Sequence, residues 1–212
     1  MTSETGSPPG DWVKSIALDG TYVRIEPLSA EHHDDLCESV CDGELWRLWY
    51  TAIPAPDEMY SEIKRRLDER DRGSMCPFAV VDPANGRAVG MTTYMNIDAD
   101  NRRLEIGSTW YRRSVQRTAL NTDAKRLLLS HAFDHLGAIA VEFRTHFFND
   151  ASRRAIERLG ARLDGVLRSH QINRHPQANG TLRDTCVYSI IAAEWPAVRA
   201  NLDYRLSGSP GT

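Results

Sequence analysis

The amino-acid sequence predicts an α+β fold, in which a mostly antiparallel central sheet carries helices on both faces. Two observations support this class. Three strand-like segments after residue 75 are separated by short turns, and the apolar residues of segment 121–136 then recur at helical spacing. The predicted order of elements is βααβββαβαββ, which is an antiparallel meander, one βαβ crossover and a closing hairpin.

The predicted elements before the crossover follow from local signals. A first strand mixes β-branched residues with alternation, Ser29 can cap the first helix, and two prolines precede a second helix with a narrow apolar stripe around Ile63 and Leu67. Short turns then separate three strands. These elements are predicted at residues 21–28, 29–41, 58–70, 76–81, 88–97 and 103–111.

Strict alternation on the strand at 103–111 assigns its side chains to two faces. One face would carry Leu104, Ile106, Ser108 and Trp110. The other would carry Glu105, Gly107, Thr109 and Tyr111.

The predicted second half begins with the strongest helix of the sequence, at residues 121–136, which Gly137 is well placed to end. A strand, a short helix and two closing strands follow, at 139–145, 149–159, 163–172 and 182–191. A single domain is expected over residues 15–206, between a flexible lead-in at 1–14 and a flexible tail at 207–212.

Composition excludes several classes of protein. The formal charge of −3 does not indicate nucleic acid or an anionic membrane as a partner, and no apolar stretch is long enough to cross a bilayer. The first ten residues do not resemble a signal peptide. Four cysteines in 212 residues do not form a disulfide framework, which favours reduced thiols and a cytoplasmic location.

The connection between the strand at 103–111 and the long helix is the most informative segment. It carries Arg112, Arg113, Gln116 and Arg117 immediately before a helix N-terminus. Unpaired N–H groups and the helix dipole attract anions there, and guanidinium groups strengthen binding of phosphate. On spacing alone, a solvated basic turn is an equally valid interpretation.

Three motifs in this order resemble the GCN5-related N-acetyltransferase (GNAT) superfamily, and specifically its RimJ/RimL-like branch. Residues 116–124, QRTALNTDA, resemble the pyrophosphate loop Q/R-x-x-G-x-G/A, with Ala119 and Asn121 at glycine positions. Residues 104–107, LEIG, resemble the Glu-Ile-Gly of the preceding strand. Residues 149–152, NDAS, followed by LGA at 159–161, resemble the branch's Asn-x-x-Ser and Leu-Gly elements.

The resemblance implies a GNAT-like fold and acetyl-CoA as the cofactor. Its pantetheine arm would enter a gap where the strand at 103–111 splays from the strand at 139–145. Because Ala119 has a β-carbon, we expect it in an ordinary conformation that still points its N–H at the ligand. The implied cofactor-binding residues are Gly107, Ser108, Thr109, Trp110, Arg112, Gln116, Arg117, Thr118, Ala119, Leu120, Asn121, Thr122 and Asn149.

Acyl transfer from a thioester to an amine needs a base for the amine and a proton donor for the thiolate. Glu105 is the candidate base, and a cross-strand charge pair is its alternative role. Ser152 is the candidate proton donor, and an ordinary first-turn helix serine is the alternative. Asn149 could cap the same helix whether or not it contacts the pantetheine.

Trp46, Trp49, Tyr50 and His175 are candidates for the wall of an acceptor pocket, with core or interface packing as the alternative. No metal site is expected, because His131 and His135 lie four residues apart without a third ligand.

The resulting hypothesis is an N-acetyltransferase that modifies a primary amine, on a protein N-terminus or a small molecule, by direct attack. The alternatives are a CoA-binding regulatory module without catalysis and a structural domain without CoA affinity. The expected partner is the small-molecule or peptide acceptor, with no nucleic acid and no membrane, and a homodimer is possible.

Overall fold

The computed structural model describes residues 12–208. Eight strands form one sheet in the order β1-β2-β3-β4-β5-β6-β8-β7, and β5 with β6 is the only parallel pair among the described strands. The strands are β1 Leu18–Asp19, β2 Arg24–Pro27, β3 Met75–Asp82, β4 Arg87–Asp98, β5 Arg103–Tyr111, β6 Ala140–His146, β7 Arg162–Ile172 and β8 Leu182–Ile191. The predicted α+β class and mostly antiparallel sheet are confirmed.

Helices cover both faces of this sheet, each over its own apolar cluster. The helices are α1 His33–Cys41, α2 Met59–Asp71, α3 Ala119–Ser130, α4 Asp150–Leu159 and α5 Trp195–Leu206. Leu36, Val40, Met59 and Ile63 of α1 and α2 pack on one face, here called the α1–α2 face. The helices α3, α4 and α5 contribute Leu128, Ile156 and Leu202 to the larger cluster on the opposite α3 face.

The sequence prediction missed two elements and misplaced one helix start. It did not include β1 or α5, although Pro196 in the first turn of α5 is a common signal for a helix start. Helix α3 begins at Ala119, not at Asn121, because the Thr118 side chain accepts a hydrogen bond from the Leu120 N–H and caps the helix two residues earlier.

The predicted lead-in at 1–14 falls mostly outside the described residues, as does most of the predicted tail. Within the described part, Val13 is buried in the α3-face cluster and the Trp12 indole N–H donates to the Leu136 carbonyl at 3.0 Å. The packed region therefore includes Trp12. None of the helices in residues 12–208 is long and apolar enough to cross a membrane.

Candidate active site

The parallel strands β5 and β6 separate soon after they meet. Their register contains only three pairs, Arg103 with Ala140, Leu104 with Val141 and Glu105 with Glu142. Beyond Glu105, the edge of β5 that faces β6 has no strand partner in the described part of the chain. This geometry produces the predicted gap between the two strands.

A β-bulge lies on β5 beside this gap. Gly107 pairs with Thr93 and Trp110 with Met91, so β5 has one residue more than β4 across this interval. Ser108 has φ = +47°, a left-handed conformation that a residue with a side chain rarely adopts. We refer to residues 107–109 as the β5 bulge.

The bulge corrects the predicted faces of β5. Leu104, Ile106 and Tyr111 lie in the α3-face cluster, whereas Trp110 lies in the α1–α2 cluster. The prediction that Glu105 shares a face with Thr109 and Tyr111 is therefore wrong. The extra residue reverses the alternation between Gly107 and Trp110, and strict period-2 reasoning cannot detect that reversal.

Glu105 is 5% exposed, and its two carboxylate oxygens have different surroundings. Oε2 accepts a hydrogen bond from Asn96 Nδ2 at 2.6 Å and lies 3.5 Å from Arg144 Nε. Oε1 accepts no hydrogen bond from residues 12–208 and lies next to Gly107. Burial raises the pKa of Glu105, an effect that the Asn96 bond and the Arg144 charge only partly offset. One oxygen is thus anchored, while the other is free to take a proton.

Gly107 leaves the space that the Glu105 carboxylate occupies. A β-carbon at this position would lie 2.5 Å from Glu105 Oε1 and 2.7 Å from Met95 Sδ. Both atoms are at the ends of flexible side chains, so we expect Gly107→Ala to fold but to displace the carboxylate. The predicted result is a loss of about tenfold or more in kcat, with the free energy of unfolding changed by less than about 1 kcal/mol. Gly165→Ala on β7, where a β-carbon meets nothing within 4 Å, is the matched control.

Two buried cations hold the bulge from opposite sides of the sheet, and the sequence analysis identified neither. On the α1–α2 face, Arg66 is 2% exposed. Its guanidinium donates to the Ser108 carbonyl at 3.2 Å, to Thr93 Oγ1 at 2.8 Å and to Glu62 Oε1 at 2.7 Å. Its helical spacing from Met59 and Ile63 is the signal that could have placed it on the buried stripe.

On the α3 face, Lys125 is 7% exposed, and its Nζ donates to Thr109 Oγ1 at 2.9 Å and to Thr92 Oγ1 at 3.4 Å. Within residues 12–208, these two threonine hydroxyls are the hydrogen-bond partners of the ammonium group. Burial lowers the pKa of Lys125 to about 7.

The lowered pKa of Lys125 predicts a pH dependence of stability. In the unfolded chain, the lysine pKa returns to its ordinary value near 10.4, so between pH 7 and 10 the unfolded state binds more protons. The free energy of unfolding of the wild type, relative to Lys125→Met, should therefore rise by about 1 kcal/mol per pH unit over this range. Urea unfolding at pH 7, 8 and 9 measures this difference, with Lys64→Met as an exposed control. Parallel curves for wild type and Lys125→Met would contradict the prediction.

The predicted phosphate loop is open to solvent. Gln116, Arg117 and Thr118 are exposed, and no backbone acceptor in the described chain binds the N–H groups of Arg117, Thr118 and Ala119. Arg117 has φ = +62°, whereas Ala119 has an ordinary helical conformation, as expected. The Asn121 Oδ1 atom is buried without a hydrogen-bond partner. The free N–H groups of Arg117, Thr118 and Ala119 at this helix N-terminus fit a phosphate group.

Two predicted loop side chains have other partners in this structure. Arg112 Nε donates to Asp42 Oδ2 at 3.0 Å, and Arg112 Nη1 lies 3.5 Å from Glu38 Oε1. The Gln116 side chain donates to the Tyr111 carbonyl at 2.8 Å. The main chain, rather than these two side chains, therefore faces the open side of the loop. Thr122, at the next position after Asn121, is half-buried in the first turn of α3.

The candidate proton donor lies at the start of α4. The Asn149 side chain accepts from the Ser152 N–H at 3.1 Å, so Asn149 caps the helix. The Ser152 hydroxyl makes no hydrogen bond to residues 12–208 and is half-buried. The hydroxyl is thus available to a ligand.

The structure brings together the residues that we predicted to line an acceptor pocket. The Trp49 ring contacts the Tyr50 ring at 5.6 Å between centroids, and His175 Nε2 lies 3.2 Å from the Trp46 carbonyl oxygen. His146 and Phe148, which the sequence analysis missed, complete this aromatic group, with ring centroids 5.1 and 5.9 Å from Trp49. A separate cavity of about 520 Å³ is lined in part by Asn96 and Arg144, the two side chains that contact Glu105 Oε2.

No group of three or more His, Cys, Asp or Glu side chains in residues 12–208 is arranged to hold a metal ion. The rings of His131 and His135 lie 6.0 Å apart, and His131 Nδ1 lies 3.3 Å from the Tyr94 hydroxyl.

Comparison with known proteins identifies the family. The family described as Acetyltransferase (GNAT) domain matches residues 23–162. The protein named ribosomal N-acetyltransferase YdaF, from Bacillus subtilis, is 31% identical over 111 residues, which are 52% of this chain and 57% of YdaF. The matched region thus spans little more than half the length of that relative.

Solved structures agree with this result. A GCN5-related N-acetyltransferase from Brucella melitensis superposes with a TM-score of 0.81 and 30% identity, over 92% of this chain and 87% of that one. Mycobacterium smegmatis RimJ, solved with CoA-disulfide, has the same fold, with a TM-score of 0.71 and 21% identity over 86% and 88% of the two chains. The predicted acetyl-CoA is the acyl donor of this family. The chain belongs to the GNAT acetyltransferase family, as the sequence resemblance implied, and it shares its fold with RimJ.

Proposed function

We propose that the chain transfers an acetyl group from acetyl-CoA to a primary amine by direct attack, with Glu105 as the base. The observation that carries this proposal is the position of Glu105, whose free Oε1 lies beside the bulge at the edge of the β5–β6 gap. The name of YdaF, a ribosomal N-acetyltransferase, supports including amines of proteins among the acceptors. A cytoplasmic location suits this donor, and a homodimer remains a prediction.

The proton transfers in this proposal involve two side chains. Bound acetyl-CoA supplies the carbonyl carbon that the amine nitrogen attacks, so that a C–N bond forms as the C–S bond breaks. Glu105 Oε1 takes the proton that the amine loses, and the raised pKa of Glu105 brings it closer to that of the amine. The Ser152 hydroxyl gives a proton to the departing sulfur and regains one from solvent.

Main-chain groups perform the remaining tasks. The unpaired edge of β5 after Glu105 would bind the pantetheine and the thioester oxygen, for which a preorganised N–H is an effective partner. The N–H groups of Arg117, Thr118 and Ala119 would bind the diphosphate. Arg66 fixes the bulge because it binds the Ser108 carbonyl.

The direct test of the activity is acetyl-CoA-dependent thiol release over a panel of amines and N-terminal peptides, combined with calorimetric binding of acetyl-CoA. Release of CoA that depends on the acceptor supports the proposal. Binding of acetyl-CoA without acceptor-dependent release would instead favour a regulatory module, and absence of binding at millimolar concentration would favour a structural domain.

The role of the α3 N-terminus can be tested by removing one N–H group. Ala119 is the first residue of α3, and Thr118 before it is extended, with φ = −98° and ψ = 176°. An extended residue such as Thr118 can precede a proline, and the first position of a helix accepts one. Ala119→Pro should therefore keep the helix while it removes a donor to the diphosphate. We expect the dissociation constant for acetyl-CoA to rise about tenfold or more.

Ala30→Pro is the matched control for this experiment. Ala30 is exposed, also begins a helical turn, and follows an extended residue, Ser29, with φ = −135° and ψ = 169°. Its acetyl-CoA affinity should equal that of the wild type. Equal affinities of Ala119→Pro and Ala30→Pro, with both variants folded, would show that the Ala119 N–H does not bind the cofactor.

A further inference from the structure

The α1–α2 face beside Glu105 carries a guanidinium group, that of Arg183, which forms no ion pair with any carboxylate of residues 12–208. In the sheet register, Glu105 pairs with Glu142 on β6, and His146 of β6 pairs with Thr185 on β8. Alternation places Arg144, His146, Thr185 and Arg183 on the same face as Glu142, and the contact between Arg144 and Glu105 identifies this as the face of Glu105.

Arg183 lies on β8, two residues before Thr185. Its Nε donates to Thr185 Oγ1 at 3.2 Å, and its positive charge interacts with the Glu105 carboxylate and disfavours protonation of His146. Arg183 is partly buried, and no carboxylate of residues 12–208 lies within 4 Å of its guanidinium. A desolvated guanidinium that lacks a paired anion is energetically costly, and a bound carboxylate would relieve that cost.

Neighbouring arginines show the contrast. Arg103 and Arg144 both bind Glu142, with N–O distances of 2.5 and 2.8 Å. Arg168, on the adjacent β7, binds Asp184 at 2.7 Å. The carboxylates of Glu142 and Asp184 are therefore already paired with other arginines. Glu105 influences Arg183 electrostatically.

An aromatic surface extends beyond these charges. His146 is 4% exposed, and its ring lies 5.1 Å from that of Trp49, 6.4 Å from that of Tyr50 and 5.7 Å from that of Phe148. Burial and the Arg183 charge lower the pKa of His146, so its ring is neutral near pH 7. The Phe148 side chain is 63% exposed, which leaves part of the aromatic surface open to a ligand.

We propose that the acceptor carries a carboxylate close to its amine, and that Arg183 binds this carboxylate while Glu105 Oε1 takes the amine proton. This inference rests on the proposed function and narrows its substrate class. The aromatic surface contacts the carbon skeleton of the acceptor, either between its amine and its carboxylate or beyond them. A free amino acid and a peptide N-terminus followed by an acidic side chain both present this chemistry.

Matched acceptor pairs test the proposal. One arm compares free amino acids with their carboxamides, and the other compares N-terminal peptides with Asp or Asn at the second position. We expect the wild type to show a kcat/KM at least about tenfold higher for the acidic member in one of the two arms, because the neutral member cannot form the charged hydrogen bond to Arg183. Arg183→Gln should remove this preference, mainly through KM, and Arg183→Lys should restore part of it.

Arg168→Gln is the control, since Arg168 is an exposed arginine on the neighbouring strand, and it should keep the wild-type preference. Equal rates for both members of each pair in the wild type would overturn the inference. So would an equal loss for acidic and neutral acceptors in Arg183→Gln, which would make Arg183 a counter-charge for Glu105. Failure of every amine to release CoA from bound acetyl-CoA would instead overturn the proposed function, and this inference with it.

Discussion

Glu105→Gln is expected to lower kcat by about 100-fold or more while acetyl-CoA binds with unchanged affinity. General bases contribute about 10²–10⁴-fold to such reactions, and glutamine cannot accept the amine proton. The amide retains the shape of the carboxylate and can still hydrogen-bond to Asn96, so the site should stay folded. Steady-state kinetics with a saturating acceptor, together with calorimetry for acetyl-CoA, measure the two effects separately.

The pH profile gives an independent check on Glu105. Because burial raises its pKa, the base loses its charge at a higher pH than an ordinary glutamate. The kcat/KM of the wild type should therefore fall as the pH is lowered through this raised value, and this acidic limb should be absent in Glu105→Gln. Glu142→Gln, which changes the carboxylate paired with Glu105 in the sheet, should keep the limb. A wild-type rate in Glu105→Gln would remove Glu105 from the mechanism.

Arg66→Met is expected to destabilise the protein by about 3–5 kcal/mol. The substitution leaves the Ser108 carbonyl and the Thr93 hydroxyl without this donor, and it removes the buried partner of the Glu62 carboxylate, which keeps its bonds from Arg65. Removal of one partner of a buried ion pair costs about this much. Ser108 also holds a left-handed conformation that persists only when its surroundings impose it. Chemical denaturation measures the loss, and Arg65→Met, on the exposed side of the same helix, should change stability by less than about 1 kcal/mol.

The catalytic consequence of Arg66 needs variants that fold. Arg66→Lys keeps the charge, and the double variant Glu62→Gln, Arg66→Met removes both charges of the buried pair together. We expect both to show a kcat reduced by about tenfold or more, because the bulge no longer holds its N–H groups in one orientation. A double variant that folds and retains the full kcat would show that Arg66 only stabilises the domain.

The elements that could be predicted from the sequence are those with strong local signals. Turn signals between strand-like segments identified β3, β4 and β5. The apolar stripe identified α3 and the π-helical turn His131–His135 that follows it, and Gly137, with φ = +64°, comes shortly after that turn. The order of the motifs then indicated the loop before α3 and the two candidate catalytic groups, the Glu105 carboxyl and the Ser152 hydroxyl. These signals depend on residues close in sequence, which is why they survive without knowledge of the fold.

The features that were missed depend on contacts between distant segments. The β5 bulge needs a count of residues on both β4 and β5, and its left-handed position is Ser108 rather than a glycine. Lys125 and Arg66 lie on otherwise apolar helix faces, where threonines and a strand carbonyl of the sheet accept their hydrogen bonds, in addition to the Glu62 carboxylate beside Arg66. No local pattern in the helix sequences predicts these partners on the sheet.

The most direct measurement of the central claim is a crystal structure of the protein with acetyl-CoA or CoA. Our account predicts diphosphate oxygens within hydrogen-bond distance of the main-chain nitrogens of Arg117, Thr118 and Ala119, and the sulfur in the β5–β6 gap beside the bulge. A nucleotide bound at another surface, or a pantetheine arm that does not enter this gap, would contradict it.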